Sequence, residues 1–244
     1  MNVLIFDFWA DYAHFRKFYT TTSPLTFSFP PPSAIAGILG AICGVNKQNN
    51  EYLDTFSLDK CKIAVQILNP VNKIRMGINL LETKKNFNPK SLQKKPPASI
   101  LRTQIRTEFL KGPRFRIYFA ANNTELFQRV EEFVIQHKSI YTPSMGLSEL
   151  LADFKYVITC EAVERTDNNP AEISTVICAS SLLQSKDLQI ETGKTYFKER
   201  MPIKMNTARV IERYDDVIYE PDGKTISAKI KTYYKLDNGA GEET

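Results

Sequence analysis

The sequence has 244 residues, of which 43% are hydrophobic and 24% are charged, and its formal net charge is +5. A chain of this length and composition can bury a core, which excludes global disorder. Its longest apolar run, Ala34 to Val45, has 12 residues. A membrane-spanning helix needs roughly 20 residues, so no such helix is predicted.

The amino terminus and the cysteines favour a cytoplasmic protein without a cofactor. The first residues, MNVLIFDFWADY, contain no basic segment, so the sequence predicts no secretory signal. The cysteines are scattered and form no CxxC pair: Cys43, Cys61, Cys160 and Cys178. Since the chain has only two histidines, this pattern predicts reduced thiols and no structural zinc site.

The first elements along the chain are a strand, a loop and a helix. Val3 to Trp9 is rich in β-branched and aromatic residues, which favours a strand. The stretch Thr20 to Pro32 is rich in threonine and proline, which excludes a helix. A helix is predicted over Ala34 to Cys43, with Ser33 as its N-cap and Gly44 at its end.

Three further strands are predicted at Lys62 to Leu68, Arg114 to Phe119 and Phe154 to Glu161. Between the last two, Thr124 to His137 has apolar residues at helical spacing. The resulting order is β-α-β, a basic insert, then β-α-β. This is the split βαβ plan of ferredoxin-like domains, which RNA-recognition motifs also use.

The chain divides into two predicted parts. The fold class predicted is α+β, with a ferredoxin-like domain over residues 1–164 that carries a basic insert at about residues 73–112. Short β-like runs separated by turns follow, including the turn Glu220 to Gly223 (EPDG). We expect a small antiparallel β subdomain over residues 165–236 and a flexible tail at residues 237–244.

The positive charge is concentrated in one window. Between Lys73 and Arg116 there are twelve basic and two acidic residues, a net charge of +10. Residues 1–72 are neutral overall, and residues 117–244 carry −5. The window predicts a surface that faces a polyanion, with a solvated lysine-rich loop as the alternative. This acidic charge favours a role of residues 165–236 in assembly over contact with RNA.

Alternation within the window predicts a strand with one polar face. Arg102, Gln104 and Arg106 fall on that face, and Leu101, Thr103 and Ile105 fall on the other. The two arginines would contact phosphates of a single strand, and Gln104 would read a base edge. Aromatic residues in or beside the window offer stacking platforms for unpaired bases. They are Phe87, Phe109, Phe115 and Tyr118.

The two histidines are the only candidates for acid–base catalysis by imidazole. His14 could be a general base, with Lys17 stabilising charge, in a metal-free ribonuclease; it could equally hydrogen-bond a loop or contact RNA. His137 ends a predicted helix, where a helix-capping role is favoured. The sequence contains no GxSxG, HExxH or phosphate-binding loop. We therefore expect a non-catalytic protein, with a metal-independent endoribonuclease using His14 or His137 as the alternative.

Four stretches of the sequence resemble one known family. They are Asp11 to Arg16 (DYAHFR), Phe29 to Gly44 (FPPPSAIAGILGAICG), Arg106 to Leu110 (RTEFL) before the strand at Arg114, and Tyr141 to Gly146 (YTPSMG). In order and spacing they resemble the Cas-five family of the RAMP superfamily. Its members are CRISPR-associated subunits of the RNA-guided surveillance complex Cascade, which acts in antiviral defence. Lys198 to Lys204 (KERMPIK) resembles the type I-B branch.

The resemblance implies a thumb hairpin in the basic insert and binding to the 5′ handle of the guide RNA. It implies contacts to a backbone subunit and to the large subunit, with target DNA reached only through the complex. Type I-C members cleave precursor RNA with a Tyr, Lys and His set that includes a Lys-His pair. This sequence has only the reversed pair, His137-Lys138. The catalytic set is therefore not carried over.

The candidate RNA-binding residues fall into three groups, and no catalytic or metal-binding residue is proposed. The basic insert supplies phosphate contacts, the segment after the first strand supplies a second rim, and a turn supplies backbone N–H groups for a phosphate. For the turn, a helix starting at Ser148 is the alternative. The candidates are Arg75, Lys84, Lys85, Lys94, Lys95, Arg102, Gln104 and Arg106; Tyr12, His14, Arg16 and Lys17; and Ser144, Met145 and Gly146.

Overall fold

The computed structural model describes residues 1–81, 102–166, 169–184 and 187–237. The strands are β1 (Asn2–Ala10), β2 (Tyr12–Ala13), β3 (Cys61–Ile67), β4 (Lys73–Leu81), β5 (Arg102–Lys111), β6 (Arg114–Ala121), β7 (Ala152–Arg165), β8 (Ala171–Ile173), β9 (Ile177–Cys178), β10 (Phe197–Met205), β11 (Ile211–Tyr219), β12 (Ile226–Ala228) and β13 (Tyr233–Asp237). The helices are α1 (Pro32–Cys43), α2 (Glu51–Thr55) and α3 (Thr124–Ile135). The fold is thus a mixture of helices and strands in which strands dominate.

The centre of the molecule is an antiparallel sheet with the strand order β13-β7-β1-β6-β3. The inner face of β1 presents Leu4, Phe6 and Phe8, which are fully buried. They pack in one core with side chains of α1 and α3. Phe119 of β6 stacks on Phe127 of α3, with 6.2 Å between the ring centroids. The alternating apolar pattern therefore fixes which face of the sheet the helices cover.

The strands and helices predicted before residue 161 are observed to within a few residues, with one correction at α1. The helix begins at Pro32, and Ser33 is not its N-cap, since Pro31 takes that place without a side-chain cap. Proline suits the first helical position because its fixed φ is helical and its missing N–H has no partner there anyway. Gly44 ends the helix at φ +76°, as predicted.

The insert between β3 and β6 forms a hairpin. Strands β4 and β5 pair antiparallel over their whole described length, from Lys73 opposite Leu110 to Leu81 opposite Arg102. The short strand β2 pairs with the base of β5 and anchors the hairpin next to β1. The candidate residues Lys84, Lys85, Lys94 and Lys95 lie outside the described residues.

The carboxy-terminal part is built of short antiparallel strands, as predicted, and it shares the main core. Strands β10, β11 and β9 form one small sheet, and β12 and β8 form another. Met201, Val217 and Tyr219 are buried in the same core as β1. Strand β13 extends the central sheet by pairing with β7. Strand β11 is continuous from Ile211 to Tyr219.

No disulfide joins the four cysteines, all of which lie in the described residues. All four are free thiols, and burial raises the pKa of Cys61 and of Cys178 to about 11. In the parts of the chain that the structure describes, no group of three or more potential metal ligands is found. No helix there combines the length and the apolarity that crossing a membrane would require.

Candidate nucleic-acid interface

A groove of about 610 Å³ lies where the hairpin, the start of α1 and the segment after β2 meet. Its volume falls within the roughly 300–1,000 Å³ typical of ligand-binding clefts. Ile78 and Leu80 of β4 and Ile105 of β5 form an apolar wall. Opposite them lie Ser33 and Ala34, in the first turn of α1. The positive end of the helix dipole lies at the groove because Ser33 and Ala34 line it, and this turn has no side-chain cap.

Two arginines lie at the rim of the groove, and neither has a carboxylate partner among the described residues. The Arg16 guanidinium donates to the carbonyl oxygen of Thr20 at 2.9 Å. Arg209 donates through Nε to Asn50 Oδ1 at 3.1 Å and lies 3.4 Å from the Tyr52 hydroxyl. Both side chains keep their full positive charge, and a neutral partner holds each in place. The groove also contains one carboxylate, Glu149.

His14 forms part of the groove wall and is 4% exposed. Its Nδ1 lies 2.7 Å from the carbonyl oxygen of Glu108, and its ring packs against Phe109 at 5.5 Å between centroids. A carbonyl only accepts, so Nδ1 donates and Nε2 is an acceptor in the neutral ring. Burial, more than any nearby charge, lowers the pKa of His14, so the neutral form is favoured.

In the predicted turn Ser144-Met145-Gly146, Gly146 lines the groove and the backbone of Met145 is hydrogen-bonded within the protein, while contact of the turn with a phosphate stays a prediction. The Met145 N–H donates to the carbonyl of Leu150, and the Met145 carbonyl accepts from the His14 N–H. The Met145 side chain is fully buried. The close approach that Gly146 permits is to the His14 backbone, since a Cβ at Gly146 would lie 1.9 Å from the His14 carbonyl oxygen. No helix begins at Ser148.

Lys17 and Tyr12 flank the groove without forming its wall. Lys17 forms an ion pair with Glu199 of β10, and these side chains are 12% and 10% exposed. Burial opposes the charged form of Lys17, but the hydrogen bond and charge of Glu199 outweigh it and raise the pKa of this lysine. Tyr12 is half-buried in β2, opposite Lys111. Contact of either residue with RNA stays a prediction.

The polar face of the hairpin points away from the groove. Ile105 and Thr107 face the groove, so Gln104 and Arg106 lie on the other side of β5. Both are exposed, and Gln104 lies against Gly77 across the strand pair. Arg75, on the same polar face, pairs with Glu108 at 3.6 Å. Arg102 begins β5, and the structure describes its backbone position only.

His137 lies away from the groove, just beyond α3. It adopts φ +51°, its Nε2 lies 2.7 Å from Asp153 Oδ1, and its ring meets the Phe154 ring edge-on at 5.0 Å. These contacts link the end of α3 to the start of β7. They do not test whether His137 has a catalytic role.

Arg209 is the groove residue that sequence reasoning missed. It lies in an acidic half of the chain, in the turn between β10 and β11, and comes near Arg16 only through the fold. Ile105, which the alternation places on the face opposite Arg102 and Arg106, also faces the groove. Contact of the polar face with RNA stays a prediction.

Residues 3–136, more than half of the chain, match the model of the family described as CRISPR-associated protein (Cas_Cas5). The chain belongs to this family, called Cas5 below. In the part that the match covers, the family resemblance of the motifs is thereby confirmed. No curated protein matches the chain significantly in sequence.

Solved structures share the fold at low sequence identity. A crystal structure of a CRISPR protein from Archaeoglobus fulgidus is similar with a TM-score of 0.55 and 12% identity, over 96% of this chain and 95% of that one. A chain of a CRISPR RNA-guided surveillance complex gives a TM-score of 0.53 at 9% identity, over 93% of this chain and 91% of that one. At these identities, the comparison supports the fold alone.

Proposed function

We propose that this Cas5 protein is a non-catalytic RNA-binding subunit of a type I CRISPR surveillance complex, of the I-B branch. It caps the 5′ handle of the guide RNA and bridges a backbone subunit and the large subunit. The observation that carries the proposal is the groove, with an apolar wall, two unpaired arginines and an uncapped helix start. Such a site suits a flexible polyanion with apolar bases.

The two sides of the groove suit different parts of a nucleotide. Neither Arg16 nor Arg209 forms an ion pair with a described carboxylate, so a phosphate can replace the neutral groups they now contact. The apolar side chains Ile78, Leu80 and Ile105 offer a surface against which a base can be buried. The exposed cations on the other face of the hairpin would contact either RNA or the backbone subunit.

The strand order supports the proposed relation to RNA-recognition motifs. Within the central sheet, β7, β1, β6 and β3 correspond to the fourth, first, third and second strands of a βαββαβ unit. The helices α1 and α3 pack on one face. We interpret this unit as ferredoxin-like, with the hairpin of β4 and β5 inserted between its second and third strands.

The proposal is tested by neutralising the two arginines of the groove. For the full-length chain bound to its cognate repeat RNA, Arg16→Gln together with Arg209→Gln should weaken binding at least tenfold at low salt. The slope of log affinity against log salt should fall by about 1.4, since each phosphate contact with a single strand contributes about 0.7. Fluorescence anisotropy across a salt series measures both quantities.

Lys138→Gln is the matched control for this experiment. Lys138 is an exposed cation near the carboxy-terminal end of α1, whereas the groove lies at the opposite end of that helix. Lys138→Gln removes one positive charge, half of what the double variant removes, and should leave the salt slope unchanged. If the control and the double variant weaken binding equally, RNA responds to net charge alone and the groove is not its site.

A second experiment addresses the absence of catalysis. With chelator present, the repeat RNA should remain intact after incubation with the full-length chain. The ring of His14 is held by the Glu108 carbonyl and that of His137 by Asp153, so each is engaged in a structural contact. Gel electrophoresis shows whether the RNA has been cut. A discrete cut that disappears in His14→Ala or His137→Ala would contradict the proposal and support an endoribonuclease.

A further inference from the structure

Outside the groove, the exposed ring of Phe18 contacts two other exposed aromatic rings. Phe18, Tyr19 and Tyr214 are 47%, 56% and 36% exposed. The Phe18 ring centroid lies 5.1 Å from that of Tyr19 and 5.0 Å from that of Tyr214. We call these three residues the aromatic platform. Exposing contacting aromatic rings costs solvation free energy, so such a cluster points to an interaction site.

A cation lies on the platform, although the platform is partly in the acidic half of the chain. The Arg200 guanidinium lies over the Tyr214 ring, 5.3 Å from its centroid, and has no carboxylate partner among the described residues. Of the carboxylates on the same side of β11, Asp216 pairs with Lys198, whereas Glu212 shares Lys204 with Asp59. Arg200 is therefore the cation in direct contact with a ring of the platform.

The platform continues from the groove. Arg16 lies in the groove wall, and its guanidinium holds the loop that carries Phe18 and Tyr19 by bonding to the Thr20 carbonyl. On the other side, Tyr214 pairs with Pro202, three residues from Met205 of the groove wall. Three strand residues span roughly 10 Å. An RNA strand that leaves the groove on this side therefore meets the platform next.

We propose that the aromatic platform stacks the unpaired bases of the RNA that leaves the groove, with Arg200 contacting its backbone. The proposal rests on the RNA-binding role of the groove and extends it to residues of β10 and β11. Every base has an aromatic face, so stacking on exposed rings accepts any sequence, and arginine beside the rings attracts phosphate. A protein partner could also pack on these rings, and the following experiment distinguishes RNA from a protein partner.

The experiment uses the full-length chain and a 12-nucleotide RNA of mixed sequence, with 2-aminopurine placed at each position in turn. Phe18→Leu together with Tyr214→Leu keeps apolar side chains at these positions and removes two aromatic faces. Alanine substitution of a stacking aromatic costs about 1–3 kcal/mol per base, so we expect affinity to fall roughly tenfold or more. With the unsubstituted protein, one or two adjacent 2-aminopurine positions should be quenched on binding. In the variant, this quenching should disappear.

Phe197→Leu is the matched control. Phe197 is another aromatic residue of β10, 48% exposed, but its ring stacks on Tyr219 and does not touch the platform. This variant should bind RNA and quench as the unsubstituted protein does. If the platform variant also keeps its affinity and quenching while Arg16→Gln with Arg209→Gln loses binding, the platform is not on the RNA path although the groove is.

Two other outcomes would also overturn the proposal. If neither set of variants changes RNA binding, the groove and the platform are both excluded. If the platform variant binds RNA normally but no longer assembles with the other subunits when they are coexpressed, the rings form a protein interface instead.

Discussion

Gly146→Ala should unfold the protein at a markedly lower urea concentration than Gly193→Ala. Gly146 has φ +96°, and an added Cβ would lie 1.9 Å from the His14 carbonyl oxygen and 2.8 Å from the carbonyl carbon. A left-handed conformation costs an alanine roughly 1–2 kcal/mol, and here the backbone must also move. We expect a total loss of at least about 3 kcal/mol.

Gly193→Ala separates the two causes. Gly193 has φ +83°, but nothing lies within 4 Å of its added Cβ. It therefore carries the conformational cost alone, about 1–2 kcal/mol. Equal losses in the two variants would show that the close approach of the Gly146 turn to His14 contributes nothing to stability. Because this approach holds the groove wall, Gly146→Ala should also weaken RNA binding, whereas Gly193→Ala should not.

Removing Lys17 should cost about 2–3 kcal/mol of the free energy of unfolding. Lys17→Met leaves Glu199, whose side chain is 10% exposed, without its main partner, and losing one partner of a buried pair typically costs about 3–5 kcal/mol. The cost is lower here because Lys73 also lies near enough for the charge of Glu199 to raise its pKa, although burial lowers that pKa overall. Chemical denaturation monitored by circular dichroism measures the loss.

Two variants complete this experiment. Lys17→Met combined with Glu199→Gln removes both charges and should recover most of the lost stability, since no uncompensated charge stays buried. Lys60→Met removes the exposed pair with Asp54, whose side chains are 54% and 63% exposed, and should change stability by less than about 0.5 kcal/mol. A double variant as unstable as the single one would mean that Lys17 acts through its apolar stem, not its charge.

The elements of the chain were predictable wherever local pattern decides them. The strand near Val3, the αL residue at Gly44 and the helix starting at Thr124 follow from residue types within a few positions. The start of α1 was missed by two residues because proline at the first helical position was not weighed against Ser33 as a cap. Such errors concern a single turn and leave the topology intact.

The site was less predictable because its residues acquire their roles from distant partners. In the sequence, nothing near Lys17 indicates a partner, yet in the fold it forms an ion pair with Glu199 of β10. Gly146 was assigned to phosphate binding because glycine permits close approach, and the backbone it approaches is that of His14. Arg209 reaches the groove only because β10 and β11 pack on α1 and its neighbours. No local pattern records such contacts.

The charge pattern located the basic insert and the family resemblance implied its hairpin, but neither indicated which face of the hairpin is concave. Counting charges drew attention to Arg102 and Arg106, whereas the groove is lined by Ile78, Leu80 and Ile105. Concavity depends on what packs opposite a strand, and here that is the start of α1. The contact between the exposed rings of Phe18 and Tyr214 was not predictable either, because these residues are distant in the sequence and meet only in the fold.

The position of β1 in the middle of the central sheet has a consequence for the newborn chain on the ribosome. Leu4 pairs with Phe119 on one side and with Thr159 on the other. Both neighbours are synthesised more than a hundred residues later, so Leu4, Phe6 and Phe8 leave the ribosome long before a partner exists to cover them. During that interval, the apolar strand is open to chaperones and to other nascent chains. Expression of this protein should therefore depend on how fast it is translated, and not only on how stable it is once folded.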